Sequence, residues 1–245
     1  MSENKASLSG ISIGPVTAAE LDRVPMFCWP GNSETRSRLF AEQGTLGFAA
    51  WDGDVCVAQL HTYRVTLPEW DGRNFPEWMS GHELFWPLGW PLLAARQMGL
   101  TFHGPVWGHA CFHVGVTLKS PSPQEVDVRY NNRGIGTALV AESVRWARQH
   151  GYAGVIAQGA PAGFMEHANW MGVLPCTTYE KFGFRTAALE ENGEKLPWWT
   201  QLSDAEQHPP AVQRWKTVIE RASRLRSEGR PIDGLCARLM VLDLQ

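Results

Sequence analysis

Residues 130–147 read YNNRGIGTALVAESVRWA, and this stretch decides how the whole chain is read. A short polar segment ends in Arg133-Gly134-Ile135-Gly136-Thr137 and passes at once into an amphipathic pattern. Leu139, Val140, Val144 and Ala147 recur at helical spacing, and Gly151 follows the last turn as a C-terminal stop. A glycine turn that opens a helix presents unpaired backbone N–H groups and the positive end of the helix dipole, so it can hold an anion. The two glycines let the main chain approach a phosphate without an intervening side chain. A loop-to-helix junction that binds nothing has the same sequence signature, and both readings stand at this point.

Two other phosphate loops are excluded. A P-loop requires Lys after its last glycine, whereas Thr137 follows Gly136. The dinucleotide fingerprint requires a small residue where Leu139 stands, and it normally follows the first strand of a βαβ unit rather than lying mid-chain.

The 245 residues allow one large domain or two small ones. Hydrophobic residues make up 44% of the chain, enough to build a sizeable core. A net charge of −3 without a long basic run argues against a nucleic-acid surface. The five cysteines (28, 56, 111, 176 and 236) are scattered and lack C-x-x-C spacing, which suits reduced thiols and a cytoplasmic location. The polar N-terminus and the lack of a long apolar run predict neither secretion nor membrane spanning.

Outward from the central stretch, the pattern predicts a strand over 11–16 and a capping box from Thr17 to Glu20. A helix follows over 33–43, ending at Gly44. Strands over 46–51 and 55–66 flank Asp52-Gly53-Asp54, a strong hairpin signal. Residues 67–105 carry Pro68, Pro76, Pro87 and Pro91 with Trp70, Trp78, Trp86 and Trp90. They read as an insertion without a long regular element beyond a helical turn or two at 92–98, serving as a lid, an interface patch or a loop anchored by its own tryptophans. A buried strand is expected over 106–116 and another over 153–158, which makes the central stretch the helix of a βαβ unit. A short helix at 176–182 and a strand from Phe184 come next. A second insertion spans 196–235 with a charged helix at 211–226, and a closing strand covers 237–242.

On a regular strand His109, Cys111 and His113 would share one face. Neighbours two apart lie about 6–7 Å from each other along a strand, too far to converge on zinc by themselves. No metal site is therefore expected.

The strand, the N-x-x-G-I-G turn with its helix, and the segment Tyr179-Glu180-Lys181-Phe182-Gly183-Phe184 together resemble the GNAT superfamily of acyl-CoA-dependent N-acyltransferases. The resemblance is carried by residues 106–186, fits the start at 11–66 and does not extend to the two insertions. It implies one α/β domain of three layers, with a mixed, mostly antiparallel sheet, a central βαβ unit, splayed strands and helices on both faces. It also implies acetyl-CoA as co-substrate. The CoA pyrophosphate would rest on the turn comprising Asn131, Arg133, Gly134, Ile135, Gly136, Thr137 and Ala138. Asn131 stands where the family usually has Gln or Arg, so the backbone amides would carry most of that contact. The backbone of Val114, Gly115 and Val116 would pair with the pantetheine arm.

Tyr179 matches the tyrosine that in many members protonates the leaving thiolate. The general base often comes from the central strand. His113, nearest the expected thioester end, is the first candidate and His109 the second, while Cys111 offers a covalent route in place of direct attack. Gly172 and Pro175 depart from the family pattern. The expected reaction is transfer of an acetyl group to a small-molecule amine in a ternary complex. A protein N-acyltransferase and a non-catalytic acyl-CoA-binding module are the rivals, and self-association into a homodimer is left open.

Overall fold

The computed structural model describes residues 8–25, 33–67, 86–120, 126–161, 172–189 and 220–245 except 222, without the side chains of 33, 35, 86–90 and 93. Their strands form one sheet of eight: β1 (Ile11–Pro15), β2 (Gly47–Asp52), β3 (Val55–Thr66), β4 (Pro105–Val114), β5 (Gly154–Ala160), β6 (Leu174–Pro175), β7 (Arg185–Leu189) and β8 (Arg238–Asp243). The order is β1-β2-β3-β4-β5-β8-β7, with the two-residue β6 also on β5. All pairings are antiparallel except those of β5 with β4 and with β6. The sheet is thus mixed and mostly antiparallel, as expected.

The Asp-Gly hairpin forms as predicted. Asp52 pairs with Val55 around Gly53-Asp54, and Gly53 takes φ +56°, which glycine adopts without strain. The Thr17–Glu20 capping box is present, and α1 (Ser33–Gln43) stops at Gly44.

The prolines of the first insertion do not prevent a helix. Instead of a turn or two at 92–98, α2 spans Trp86–Gln97, twelve residues with Pro91 inside. Pro87 falls in the first turn, where an N–H would lack an intrahelical partner anyway. Pro91 does break the ladder, but Leu92, Ala94 and Ala95 bury themselves against the sheet and offset that loss. Trp70 and Trp78 lie outside the described residues, as does the second insertion up to 219. At 220–221 and 223–227 the expected charged helix is seen.

Helix α3 (Ile135–Gln149) covers one face of the sheet and buries Ile135, Leu139, Val140, Val144, Trp146 and Ala147. The short α4 (Cys176–Glu180) packs into the same apolar cluster through Cys176 and Tyr179. Leu39 of α1 and the apolar residues of α2 join a second cluster with Tyr63, Val106, Ile156 and Leu239. Helices therefore lie on both faces. No described helix is long and apolar enough to cross a membrane.

Candidate active site

The parallel pairing of β4 with β5 covers only Val106↔Gly154 to His109↔Ala157. Beyond His109 the two strands separate, leaving a wedge between their C-terminal ends. Such a gap exposes main-chain groups that an extended ligand can pair with. A segment of the chain enters it from the β5 side. Leu174 and Pro175 pair with Gly159 and Ala160, and the Gly172 carbonyl accepts from the Phe112 N–H at 2.6 Å. Because N–H and C=O groups alternate in direction along β4, Phe112 and Val114 both turn theirs toward the wedge.

Gly115 does not, and this corrects one expected cofactor contact. Its N–H donates to the Val57 carbonyl at 2.7 Å, and its carbonyl accepts from the Asp127 N–H at 2.7 Å. It takes φ +78°, and a Cβ there would sit 2.5 Å from the Asp127 carbonyl oxygen. Gly115 is thus a backbone joint that ends β4, and neither it nor Val116 lies in the strand. Of the three expected pantetheine-pairing residues only Val114 belongs to β4 and faces the wedge.

The mouth of the wedge meets the N-terminus of α3. Gly134 is its N-cap at φ +80°, no side chain caps the helix, and no acidic residue occupies the first turn. The Gly134 carbonyl accepts from the Ala138 N–H, so the amides of Ile135, Gly136 and Thr137 stand at the uncapped end. Asn132 is also left-handed at φ 57°, which reverses the chain just before the helix.

The turn is anchored from behind. The Tyr130 hydroxyl donates to Asp52 at 2.9 Å, and the guanidinium groups of Arg129 and Arg133 each lie 5.8 Å from the Tyr130 ring centroid. Arg133 therefore sits beside the turn. Gly136 serves packing as well, since a Cβ there would be 3.0 Å from Leu174 Cδ2. The segment that enters the wedge and the helix that opens beside it are thus in contact.

The strand histidines fall differently from the period-two expectation. Between β3 and β4 the register passes from Leu60↔Phe112 to Thr62↔His109, so β4 carries one extra residue, a bulge at 110–111. The bulge shifts the alternation. Trp107 and His109 point toward α3, whereas Cys111 and His113 point to the other face. His109, Cys111 and His113 do not share a face.

His109 is fully enclosed. Its Nε2 lies 3.0 Å from Ser143 Oγ, which also accepts the Trp107 indole N–H at 3.0 Å. Its ring abuts Phe112, Tyr179 and Phe184. Burial pushes its pKa down to about 3, so it stays neutral. It is a core residue bonded to α3.

Tyr179 is 1% exposed and lies against His109 and Phe184. Burial first, and then the neighbouring Tyr63, raises its pKa far above the ordinary phenol value. As an acid it is useful only to a thiolate held in the same low-polarity setting, where the thiolate's proton affinity rises as well.

On the opposite face His113 is 9% exposed, and its ring centroid is 5.6 Å from that of His61. Sequence reasoning gave His61 no role, because only the pairing of β3 with β4 brings it beside Cys111. On the same face, one residue beyond the last β4–β5 pair, Gln158 is 1% exposed and neither polar atom of its side chain has a partner among the described residues. A buried amide in that state calls for a further polar partner, such as a water or a ligand. Its position could not be read from a hydrophobic run such as 153–158.

No protein-family model and no curated protein sequence matches the chain. Solved structures do. An agmatine N-acetyltransferase, in an apo form of a serine-to-alanine mutant, superposes with a TM-score of 0.50 at 13% identity, covering 95% of this chain and 99% of that one. A putative arylalkylamine N-acetyltransferase of the yellow fever mosquito gives a TM-score of 0.51 at 11% identity, covering 96% and 88%. The chain has the GNAT fold. At such identities the likeness extends to the architecture alone.

Proposed function

We propose that this protein is an N-acyltransferase that moves an acetyl group from acetyl-CoA to the amine of a small molecule, by direct attack in a ternary complex. The observation that carries this reading is the juxtaposition of the wedge beyond His109 with the uncapped N-terminus of α3. An acyl-CoA needs both features together, a strand edge for its pantetheine amides and a cluster of N–H donors for its pyrophosphate.

In this reading the pyrophosphate lies on the amides from Arg133 to Thr137, without Ala138, whose N–H is spent on the Gly134 carbonyl, and Arg133 adds charge with Asn131 at the rim. The pantetheine arm pairs with Val114 along the wedge. The thioester then points toward the apex of the wedge, where Tyr179 approaches from the α3 face and His113 lies on the other. A neutral amine attacks the thioester carbon, His113 takes its proton, the C–S bond breaks and Tyr179 protonates the leaving thiolate. His109 is left out of the chemistry because its ring is held by Ser143 in the core. Gln158 is placed to bind a polar group of the acceptor. A small amine is the acceptor proposed because the two structures named above are an agmatine N-acetyltransferase and a putative arylalkylamine N-acetyltransferase.

Incubation of the protein with acetyl-CoA and a panel of aliphatic and aromatic amines tests this, with thiol release and product mass as readouts. The expected result is CoA formed in step with an N-acetylated amine. CoA binding without thiol release for any acceptor would overturn the enzyme reading in favour of a binding module.

A further inference from the structure

On the sheet face opposite α3, side chains of two neighbouring strands converge. His61 on β3 and Cys111 and His113 on β4 each present a ligand atom, and these atoms all lie within 4.8 Å of one another. This is the one such group among the described residues. We infer that His61, Cys111 and His113 form a binding site for a divalent transition-metal ion of the zinc type, with one coordination position left open.

The bulge in β4 creates the group. It carries Cys111 and His113 to the face that holds His61, with Cys111 across from His61 and Gln59 paired directly with His113. His61 Nδ1 is 3.1 Å from Cys111 Sγ, close to the separation of two ligands on a tetrahedral ion with bonds of about 2.0–2.3 Å. The second partner of His61 fits as well. Its Nε2 lies 3.0 Å from Gln59 Oε1. With that N–H donated to the amide oxygen, the Nδ1 lone pair is directed at the cluster, the arrangement that typically orients a metal-bound imidazole.

Two neutral imidazoles and one thiolate leave a net charge of about +1 on a bound divalent ion, and Cys111 must release its proton on binding. Three protein ligands are the number found where a metal keeps a position for water or substrate. Gln158 lies on the same sheet face. A ligated His113 cannot also serve as the base of the proposed transfer, so a filled site would pass that task to a group bound at the open position.

Titration of the whole protein with cobalt(II), after removal of metal by chelator, tests the site independently of any acyltransfer. The expected result is binding of about one cobalt per chain with a thiolate-to-cobalt charge-transfer band in the near ultraviolet. Cys111→Ser should lose the band, whereas Cys56→Ser should keep it. His113→Gln, at the most exposed of the three ligands, should weaken binding at least tenfold with an unchanged circular dichroism spectrum, and Gln59→Leu should weaken it by roughly 10- to 100-fold. Absence of the band in the wild type, or its persistence in Cys111→Ser, overturns the site, as does unchanged affinity in a folded His113→Gln. None of these outcomes depends on whether the protein uses acetyl-CoA.

Discussion

Gly134→Asp separates the fold from the anion site, because it leaves the stability nearly unchanged while it opposes a bound phosphate. Gly134 is the left-handed N-cap of α3, and a Cβ built on it meets nothing within 4 Å. The steric cost is therefore confined to the backbone, about 1–2 kcal/mol for an ordinary residue and less for Asp or Asn, whose short polar side chains tolerate this region. Against that cost, a carboxylate at a helix N-terminus gains about 0.3–1 kcal/mol from the dipole. The unfolded chain also loses the freedom of a glycine, worth about 0.4–1 kcal/mol. The balance is within about 1 kcal/mol of the wild type, readable as a small shift in the urea midpoint.

For a bound pyrophosphate the same carboxylate stands against the uncapped amides and repels the ligand. The affinity for CoA, measured by calorimetric titration, should fall at least about tenfold, or 1.4 kcal/mol. Gly136→Ala provides the contrast. It gains about 0.5–1 kcal/mol of helix propensity and loses a similar amount by pushing the tip of Leu174, 3.0 Å away. If folded Gly134→Asp binds CoA as tightly as the wild type, the α3 turn is not the cofactor site.

Three further outcomes follow from the same geometry. Ser143→Ala removes the shared partner of Trp107 and His109, both buried, and should cost about 2–5 kcal/mol in urea unfolding; a loss under about 1 kcal/mol would mean that water or a rotated ring replaces Ser143. In metal-free protein, His61 and His109 are neutral in the fold and take up protons on unfolding below their ordinary value of 6.5. Their folded pKa values are lowered, so their contribution is complete above pH 6.5 and is lost as pH falls, at about 1.4 kcal/mol per pH unit for each. Unfolding at pH 7 and pH 5 should show this, and His109→Gln should flatten the dependence; an unchanged slope would place the proton uptake elsewhere. Tyr179→Phe should lower kcat by about 100-fold without changing the affinity for CoA, and an unaltered kcat would remove Tyr179 from the chemistry.

Much of this architecture could be read from local chemistry. The Asp-Gly pair dictated the β2–β3 hairpin, the Thr17–Glu20 box and Gly44 bounded their elements, and the spacing of Leu139, Val140 and Val144 defined the buried face of α3. Each of these signals is contained within a few residues. Helix α2 is not legible in the sequence because Pro91 is locally a helix breaker, whereas burial of Leu92, Ala94 and Ala95 by distant strands outweighs one lost hydrogen bond. Gly115 looked like part of a strand because its run is apolar, and its ties to Val57 and Asp127 belong to the tertiary fold.

The bulge at residues 110–111 accounts for the unexpected faces of the strand histidines and for much of the site. An inserted residue leaves no mark in the alternation of VWGHACFHVGV, since Ala, Cys and Phe suit either face. Its effects nevertheless propagate in three directions. Upstream, His109 keeps the phase of Trp107, and Ser143 of α3 binds both. Downstream, Cys111 and His113 are carried to the other face, where His61 of β3 joins them. In the plane of the sheet, β4 leaves the register of β5 after His109, so that Phe112 and Val114 present their main-chain groups to the wedge. Restoring the alternation by deleting Ala110 should therefore damage the core, the His61 cluster and the wedge together. If that deletion left the cobalt band and CoA binding intact, the bulge would not be their common cause.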